Sequence, residues 1–190
     1  KTDFEKQVVQ IASLGVWQIV TNKPMKKKLS PVKDARWDCK TGVFVTLRKD
    51  SEICGSIGML ESTTTLPETL FDASSAAATH DQRYRPIEEN EIPALAIEVT
   101  LLSEVRTLQT PKDLIVGEMG LIISRGENRG VLLPQIAVEH NWTAEQFLEA
   151  CCEKALLPHN SWKDPNTLVE YFKSQTIKCS NLVKSIEEYI

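Results

Sequence analysis

The order of apolar and polar positions divides the chain into helices and hairpins. Apolar residues recur at helical spacing over about residues 3–21, which predicts an amphipathic helix. Two β-prone runs follow, Val43–Leu47 and Glu52–Leu60, and the polar link between them contains Asp50 and Ser51, which suit a turn. These runs therefore predict a β-hairpin.

The next two predicted elements are a helix and a strand. Thr65 is a suitable N-cap for a helix over the sequence TLPETLFDASSAAATHD, and Pro67 and Glu68 fit its first turn. The sequence ALAIEVTLL then alternates as a strand does, so that every second residue faces the same side. Glu98 lies on the less apolar of these two faces.

The C-terminal half repeats the order of hairpin and then helix. The sequence GEMGLIISRGENRGVLLPQ predicts a second hairpin, whose turn contains Gly126, Asn128 and Gly130. Thr143 and Gln146 form a capping box ahead of another helix. The sequence TLVEYFKSQTIK predicts a last strand.

The complete predicted order is helix, hairpin, helix, strand, hairpin, helix, strand. Hairpins require antiparallel pairing, so the fold class is α+β, with antiparallel or mixed sheet hairpins packed by helices, and not a doubly wound parallel sheet. The 190 residues fit a single domain over residues 1–190.

Composition and charge narrow the function classes. A formal net charge of −4 disfavours nucleic acid as the main partner, because phosphate binding usually needs a basic surface. The basic run Lys26–Lys28 is interpreted as a solvated loop. No apolar segment is long enough to cross a membrane, and no secretory signal is expected.

The cysteines and histidines bear on compartment and metal binding. The five cysteines include no Cys-x-x-Cys motif, which predicts reduced thiols and an intracellular location in the cytoplasm, the nucleus or both. The histidines share no metal-ligand spacing with the cysteines. The sequence therefore predicts neither a metal site nor a cofactor.

The sequence SEICGSIGML contains the first candidate site. Gly55 and Gly58 lie on either side of Ser56, and Cys54 precedes them. Glycine weakens strands, so these residues mark either a bulge or a place where the backbone approaches a ligand. The pattern lacks the features of a nucleophile elbow or a phosphate loop, and no base for Ser56 is evident. A structural bulge is favoured, with a ligand-binding segment as the alternative.

Four charged residues complete the set of candidates. Asp81 and Arg83 lie where a helix ends in a loop; a carboxylate and a guanidinium there can bind a polar ligand or form a salt bridge that shapes the loop. Glu98 interrupts an otherwise apolar strand, so it is exposed, paired or functional. Lys154 is interpreted as a lysine that extends from a helix to solvent, with pairing to a carboxylate as the alternative.

Taken in order, these segments resemble the AMMECR domain family, whose prokaryotic members are called AmmeMemoRadiSam system protein A. The resemblance covers nearly the whole chain and is carried by GVFVTL, CGSIG, AAATHDQRYRP, IEVTLL, VLLPQIA and FLEACCEKALL. It implies an α+β fold with two unequal lobes and an activity that is not settled. It also implies Memo-like and radical-SAM proteins as pathway partners.

One departure from the family pattern concerns the glycine segment. The family motif reads Leu-Arg-Gly-Cys-Ile-Gly, and this chain has Cys54 in the place of the arginine and Ser56 in the place of the cysteine. Cysteine cannot replace a guanidinium, and serine is a much weaker nucleophile than a thiolate. A mechanism that needs either group is therefore in doubt for this chain.

Two functional hypotheses remain. The first is an enzyme, or an enzyme component, that binds a small polar substrate between Cys54–Gly58 and Asp81–Arg83, with Glu98 and Lys154 contributing. Ser56, Asp81, Arg83, Glu98 and Lys154 are its candidate catalytic residues, and Cys54, Gly55, Ser56, Gly58, Asp81 and Arg83 its candidate binding residues. The alternative is a non-catalytic binding or scaffold module for a protein partner.

Overall fold

The computed structural model describes residues 1–190, which contain five helices and seven strands. Two compact units are present: the first comprises residues 1–101 and 175–190, and the second comprises residues 102–174. The helices are α1 (Asp3–Thr21), α2 (Leu66–Thr79), α3 (Pro134–Glu139), α4 (Ala144–Lys154) and α5 (Leu182–Ile186). The strands are β1 (Thr41–Lys49), β2 (Glu52–Glu61), β3 (Leu95–Leu102), β4 (Arg106–Thr107), β5 (Met119–Arg125), β6 (Asn128–Leu132) and β7 (Leu168–Cys179).

The sheet of the first unit has β1 at its centre. It pairs antiparallel with β2 on one side and with β3 on the other, and β2 is the edge strand. Val43, Val45 and Leu47 on one face of β1 are fully buried and belong to the same core as residues of α1 and α2. The opposite face of β1 carries Phe44 and Thr46, which are less buried.

The β1–β2 hairpin confirms both the predicted turn and the favoured bulge. Asp50 and Ser51 both have positive φ angles, 50° and 69°, as a two-residue hairpin turn requires. Leu47 lies opposite Gly55, whereas the next residue of β1 lies opposite Ile53. Cys54 is thus the extra residue of a β-bulge, which bends the edge strand just before the glycine segment.

The second unit is built on the β5–β6 hairpin. β5 pairs with β6 on one side and with the first half of β7 on the other, and β4 adds to the far side of β7. The fully buried residues Leu121 and Ile123 of β5 form a core with Phe147, Leu148 and Cys151 of α4. α4 begins with the predicted capping box of Thr143 and Gln146, which is thereby confirmed.

The composition of the second hairpin turn was predicted wrongly. The two strands are connected by Gly126 and Glu127 alone, because Asn128 and Gly130 already belong to β6. Gly126 has a positive φ angle of 59°. A Cβ atom on Gly130 would lie 2.4 Å from the backbone nitrogen of Ala155, at the end of α4. Gly130 is therefore needed for close packing of a helix end on the strand.

The observed order confirms an α+β fold with antiparallel strands. The short helices α3 and α5 and the two-residue strand β4 were not predicted, because elements of this length give little periodicity. None of the helices combines the length and the apolar character that crossing a lipid bilayer would require.

Candidate functional site

The loop after α2 binds the main chain of the edge strand. Asp81 Oδ2 accepts a hydrogen bond of 2.8 Å from the Ser56 amide, and Arg83 Nη2 donates one of 2.8 Å to the Ser56 carbonyl. Arg83 also donates to both carboxylate oxygens of Asp81, at 3.0 Å from Nε and 2.8 Å from Nη2. The segment at 81–83 and Ser56 are thus in direct contact, but through backbone atoms of Ser56.

The electrostatics of Asp81 suit this structural contact. Only 5% of its side chain is exposed, yet its carboxylate accepts four hydrogen bonds, two from the Arg83 guanidinium and two from backbone amides. The Arg83 guanidinium, followed by the amides of Ser56 and Arg83, holds the pKa of Asp81 well below its usual range. Asp81 therefore stays ionised near neutral pH and is not suited to proton transfer.

The Ser56 hydroxyl points to a different partner. Ser56 Oγ lies 2.8 Å from Oγ1 of Thr46, the residue directly opposite it on β1. The hydrogen-bond partner of Ser56 Oγ is thus another hydroxyl, which is not a general base. Without such a base, serine is a weak nucleophile.

Glu98 lies on the same face of the sheet, in the same row of residues. Thr46 lies opposite Ser56 on one side and opposite Glu98 on the other, so a polar row crosses β2, β1 and β3. Glu98 Oε1 accepts a hydrogen bond of 3.0 Å from Arg48 Nε and forms an ion pair of 3.6 Å with Lys178 Nζ. Glu98 is thus a paired carboxylate on the less buried face of the sheet.

The two glycines of the segment make room for packing within the protein. A Cβ atom on Gly55 would lie 2.1 Å from the carbonyl oxygen of Ala77 in α2, and one on Gly58 would lie 1.9 Å from the Phe44 ring. Gly55 therefore lets the edge strand approach a helix, and Gly58 lets an aromatic ring lie across the strand. Neither glycine is left open for a ligand.

A cavity of about 350 Å³ opens beside the bulge. It differs from the site predicted between residues 54–58 and 81–83, because it includes Cys54 but neither Ser56 nor Asp81 nor Arg83. This "Cys54 cavity" is lined by Lys49, Asp50, Glu52, Ile53, Cys54, Tyr84, Arg85, Ile87 and Glu91.

The most constrained charged group of the Cys54 cavity is Glu91. Only 8% of its side chain is exposed, and Oε1 accepts hydrogen bonds of 2.7 Å from both Lys49 Nζ and Arg85 Nη2. Oε2 accepts from Arg85 Nη1 at 2.9 Å and from the Glu88 amide at 3.0 Å. Arg85 first, and then Lys49, lowers the pKa of Glu91 far below its usual range.

The thiol of Cys54 is not activated by this environment. Burial raises its pKa, and the negative charge of Glu91 raises it further, against smaller opposing effects of Lys49 and Arg85. The neutral thiol predominates at neutral pH, so Cys54 contributes a weakly polar wall and no thiolate nucleophile.

The Lys49–Arg85–Glu91 cluster was missed in the sequence. Its members come from the end of β1, the loop after α2 and a 3₁₀ segment at Glu89–Ala94, so no local spacing joins them. The one available signal is the charged run QRYRPIEENEIP, whose irregular pattern predicts neither a helix nor a strand. Lys49 and Arg85 are the groups that could bind an anion, whereas no three His, Cys, Asp or Glu residues are arranged to bind a metal ion.

Comparisons with known proteins agree with the fold. A protein of Methanothermobacter thermautotrophicus is 41% identical over 72% of this chain and 74% of its own length, and one of Aquifex aeolicus is 33% identical over 90% of each. The AMMECR1 family profile matches residues 9–177. The chain belongs to the AMMECR1 family. A crystal structure of an uncharacterised protein from Pyrococcus horikoshii has a TM-score of 0.78 at 30% identity and covers 95% of this chain and 94% of its own.

In this AMMECR1-family protein the candidate residues fall into three groups. Asp81 and Arg83 bind the backbone of Ser56, and the hydroxyl of Ser56 shares a row with Glu98. Of the candidate residues, only Cys54 lines the Cys54 cavity. Lys154 is exposed in the last turn of α4, in the second unit. It is not a member of the Lys49–Arg85–Glu91 cluster, which belongs to the first unit.

Proposed function

We propose that this AMMECR1-family protein is a non-catalytic binding module for a small polar ligand with an anionic group, and that the ligand occupies the Cys54 cavity. The observation that carries this function is the Lys49–Arg85–Glu91 cluster in the cavity wall. The volume of about 350 Å³ is at the lower end of the range for small-molecule sites.

The two cations retain donors for a ligand. Lys49 has three N–H groups and donates one to Glu91, and Arg85, with 63% of its side chain exposed, has five N–H groups and does not use all of them. The lining also contains the carboxylates of Asp50 and Glu52, so the cavity as a whole has no net positive charge, and what favours an anion is the free N–H groups of Lys49 and Arg85. A carboxylate or phosphate group on the ligand can therefore bind both cations without displacing Glu91.

The absence of an activated group supports binding over catalysis. The Cys54 thiol is neutral, the Ser56 hydroxyl is bound to another hydroxyl, and Glu91 is fully occupied as an acceptor. Nucleophilic and acid–base catalysis both require a group whose pKa is tuned towards the working pH. The protein accordingly acts as the ligand-binding component of a system whose chemistry lies elsewhere.

The test is an NMR titration of the ¹⁵N-labelled protein with inorganic phosphate, citrate and glycerol. We expect saturable shifts of the Ile53 and Cys54 amide signals with phosphate or citrate, and none with glycerol. Cys54→Leu adds volume to one wall of the cavity while keeping Lys49, Arg85 and Glu91 in the sequence, and should weaken binding at least about tenfold. Cys39→Leu, at an exposed cysteine outside the cavity, is the matched control.

Two outcomes would contradict this function. The first is that neither anion gives a saturable shift in the wild-type protein. The second is that Cys54→Leu binds as the wild type does while Ser56→Ala does not, which would return the site to the glycine segment and favour the enzyme hypothesis.

A second candidate function, docking of a protein partner, is favoured by a larger groove in the first unit. A groove of about 590 Å³ lies among α1, α2 and the loop between α1 and β1. Its lining is mainly apolar and includes Leu14, Met25, Leu29 and Phe71. A partially open apolar groove of this kind can accept apolar side chains of another protein.

Purified Memo-like and radical-SAM proteins are the partners to test in this groove, by calorimetric titration. We expect Phe71→Asp and Met25→Asp to weaken binding, and Ile115→Asp, at an exposed apolar residue of the second unit, to leave it unchanged. No heat of binding with either protein would contradict this second candidate. The intracellular location stays a prediction, supported by five cysteines that are all free.

A further inference from the structure

The second unit contains a cavity of about 300 Å³ whose lining carries no charged side chain. It lies in a different unit from the Cys54 cavity and does not depend on it. Its lining is mostly aliphatic and aromatic, and three residues contribute hydroxyl or amide groups. The lining residues are Thr107, Leu108, Gln109, Pro111, Leu148, Trp162, Pro165, Thr167, Leu168 and Val169.

Two residues of this lining each have a buried side-chain polar atom without a hydrogen-bond partner in the protein. These atoms are Nε1 of Trp162 and Oγ1 of Thr167, and both atoms are shielded from bulk solvent. Thr167 as a whole is only 9% exposed. No other buried side-chain nitrogen or oxygen of the structure lacks a hydrogen-bond partner, and both of these atoms belong to residues of one cavity.

Leaving these two groups unpaired is unfavourable. Buried polar groups in folded proteins are nearly always hydrogen-bonded, and an unpaired one costs free energy that the fold must otherwise supply. Where a native protein keeps such a group, it has a specific cause, such as a functional role, a bound ion or an ordered water. Because both groups belong to residues of one cavity, their hydrogen-bonding capacity indicates which chemical group a ligand there would need to have.

We propose that this cavity binds a small uncharged molecule that has a carbonyl oxygen on a flat apolar body. The indole N–H of Trp162 can only donate, and the hydroxyl of Thr167 can donate as well. A carbonyl oxygen has two lone pairs, so one such oxygen can accept both bonds once the two side chains have adjusted to reach it. The apolar residues around them, including Leu108, Pro111 and Leu148, suit an apolar body, and the uncharged lining disfavours a carboxylate or phosphate.

Binding requires a small movement of the lining. Since bulk solvent does not reach either atom, the Thr167 and Trp162 side chains must adjust to admit the carbonyl. Side-chain adjustment of this kind is common on binding, even where the backbone hardly moves. Lys163, whose ammonium lies 5.1 Å from the centre of the Trp162 ring, is not part of the lining and leaves the uncharged character intact.

The experiment compares acetophenone with ethylbenzene, which keeps the phenyl ring and the two-carbon side chain but lacks the carbonyl oxygen. Indole N–H signals are observed in ¹⁵N-labelled protein, and Trp162→Phe identifies the signal of Trp162 among the four tryptophans. We expect acetophenone to move that signal downfield in a saturable manner and ethylbenzene to bind at least about tenfold more weakly. The indole signal of Trp142, in the same unit, should not move.

A second variant separates binding from folding. Thr167→Val keeps the shape and removes the unpaired hydroxyl, so it should leave the free energy of unfolding unchanged or raise it while weakening acetophenone several-fold. Thr41→Val, in the first unit, is the control. Equal binding of the two probes, an unmoved Trp162 signal, or full acetophenone affinity in Thr167→Val would each overturn the proposal and leave ordered water as the partner of these atoms.

Discussion

Asp81 shows how one carboxylate can act as a substitute for a neighbouring strand. β2 is an edge strand, and the amide and carbonyl of Ser56 would otherwise be left without a strand partner on that side. Asp81 accepts from the amide and Arg83 donates to the carbonyl, as a paired residue would. The loop thus covers the edge at one residue, which also protects it from pairing with another chain.

Replacing the Asp81 carboxylate should therefore reduce stability and leave ligand binding in the Cys54 cavity in place. We expect Asp81→Asn to lower the free energy of unfolding by about 2 kcal/mol, because a buried acceptor of charge-assisted hydrogen bonds is lost. Urea denaturation measures this. Asp72→Asn, at an exposed carboxylate on α2, should change it by less than about 0.5 kcal/mol; equal effects of the two variants would refute the structural role of Asp81.

Low pH should reduce the free energy of unfolding through the paired carboxylates Asp81 and Glu91. The pKa values of Asp81 and Glu91 are lower in the folded state than in the unfolded chain, so the unfolded chain binds protons first as the pH falls. Their contribution to stability is complete above about pH 5 and is lost progressively below about pH 4. Urea denaturation across this range should show that the free energy of unfolding falls less steeply with decreasing pH in Asp81→Asn than in the wild type. Parallel plots of this free energy against pH would contradict the role assigned to Asp81.

At the level of elements, the glycine segment of β2 is governed by packing. The sequence correctly favoured a bulge, because glycine is unfavourable in the interior of a regular strand and is common where a strand bends. The choice between a bulge and ligand contact could not be settled from the sequence, since the atoms that require Gly55 and Gly58 belong to Ala77 and Phe44. The same limit applies to Gly130, whose neighbour Ala155 lies 25 residues further along the chain.

Gly55→Ala tests the close approach of β2 and α2. The new methyl group would meet a helix carbonyl that cannot move without the helix, so we expect a loss of about 3 kcal/mol in the free energy of unfolding. Gly126→Ala meets no atom within 4 Å and strains only a backbone of positive φ, so about 1 kcal/mol is expected. Thermal and urea denaturation would compare the two; a milder effect at Gly55 would contradict the packing role of this glycine.

At the level of the whole molecule, periodicity was enough to predict the fold class but not the location of the cavity. The α1 helix, both hairpins and the last strand follow from apolar spacing, which is a local property of the chain. The Lys49–Arg85–Glu91 cluster instead depends on three segments that only the folded chain brings together. The local sequence of each segment does not indicate that these three side chains will meet in the folded chain.

The reactivity of the five thiols should report the integrity of the whole chain. Cys39 is exposed, Cys54 and Cys179 are partly buried, and Cys151 and Cys152 are fully buried. Burial also raises the pKa of Cys151 to about 12, so its thiolate is scarce at neutral pH. In titration with a thiol reagent we expect Cys39 to react first and the adjacent pair only on unfolding; early reaction of Cys151 would contradict the compact core of the second unit.

The most direct test of the proposed function is a crystal structure of the protein purified from its natural source with no ligand added. We expect electron density for a small anionic molecule in the Cys54 cavity, within hydrogen-bond distance of Lys49 Nζ and the Arg85 guanidinium, while Asp81 and Arg83 remain bound to the Ser56 backbone. Density bonded to Ser56 Oγ, or a ligand that displaces Arg83 from Asp81, would contradict it and restore the glycine segment as a reactive site.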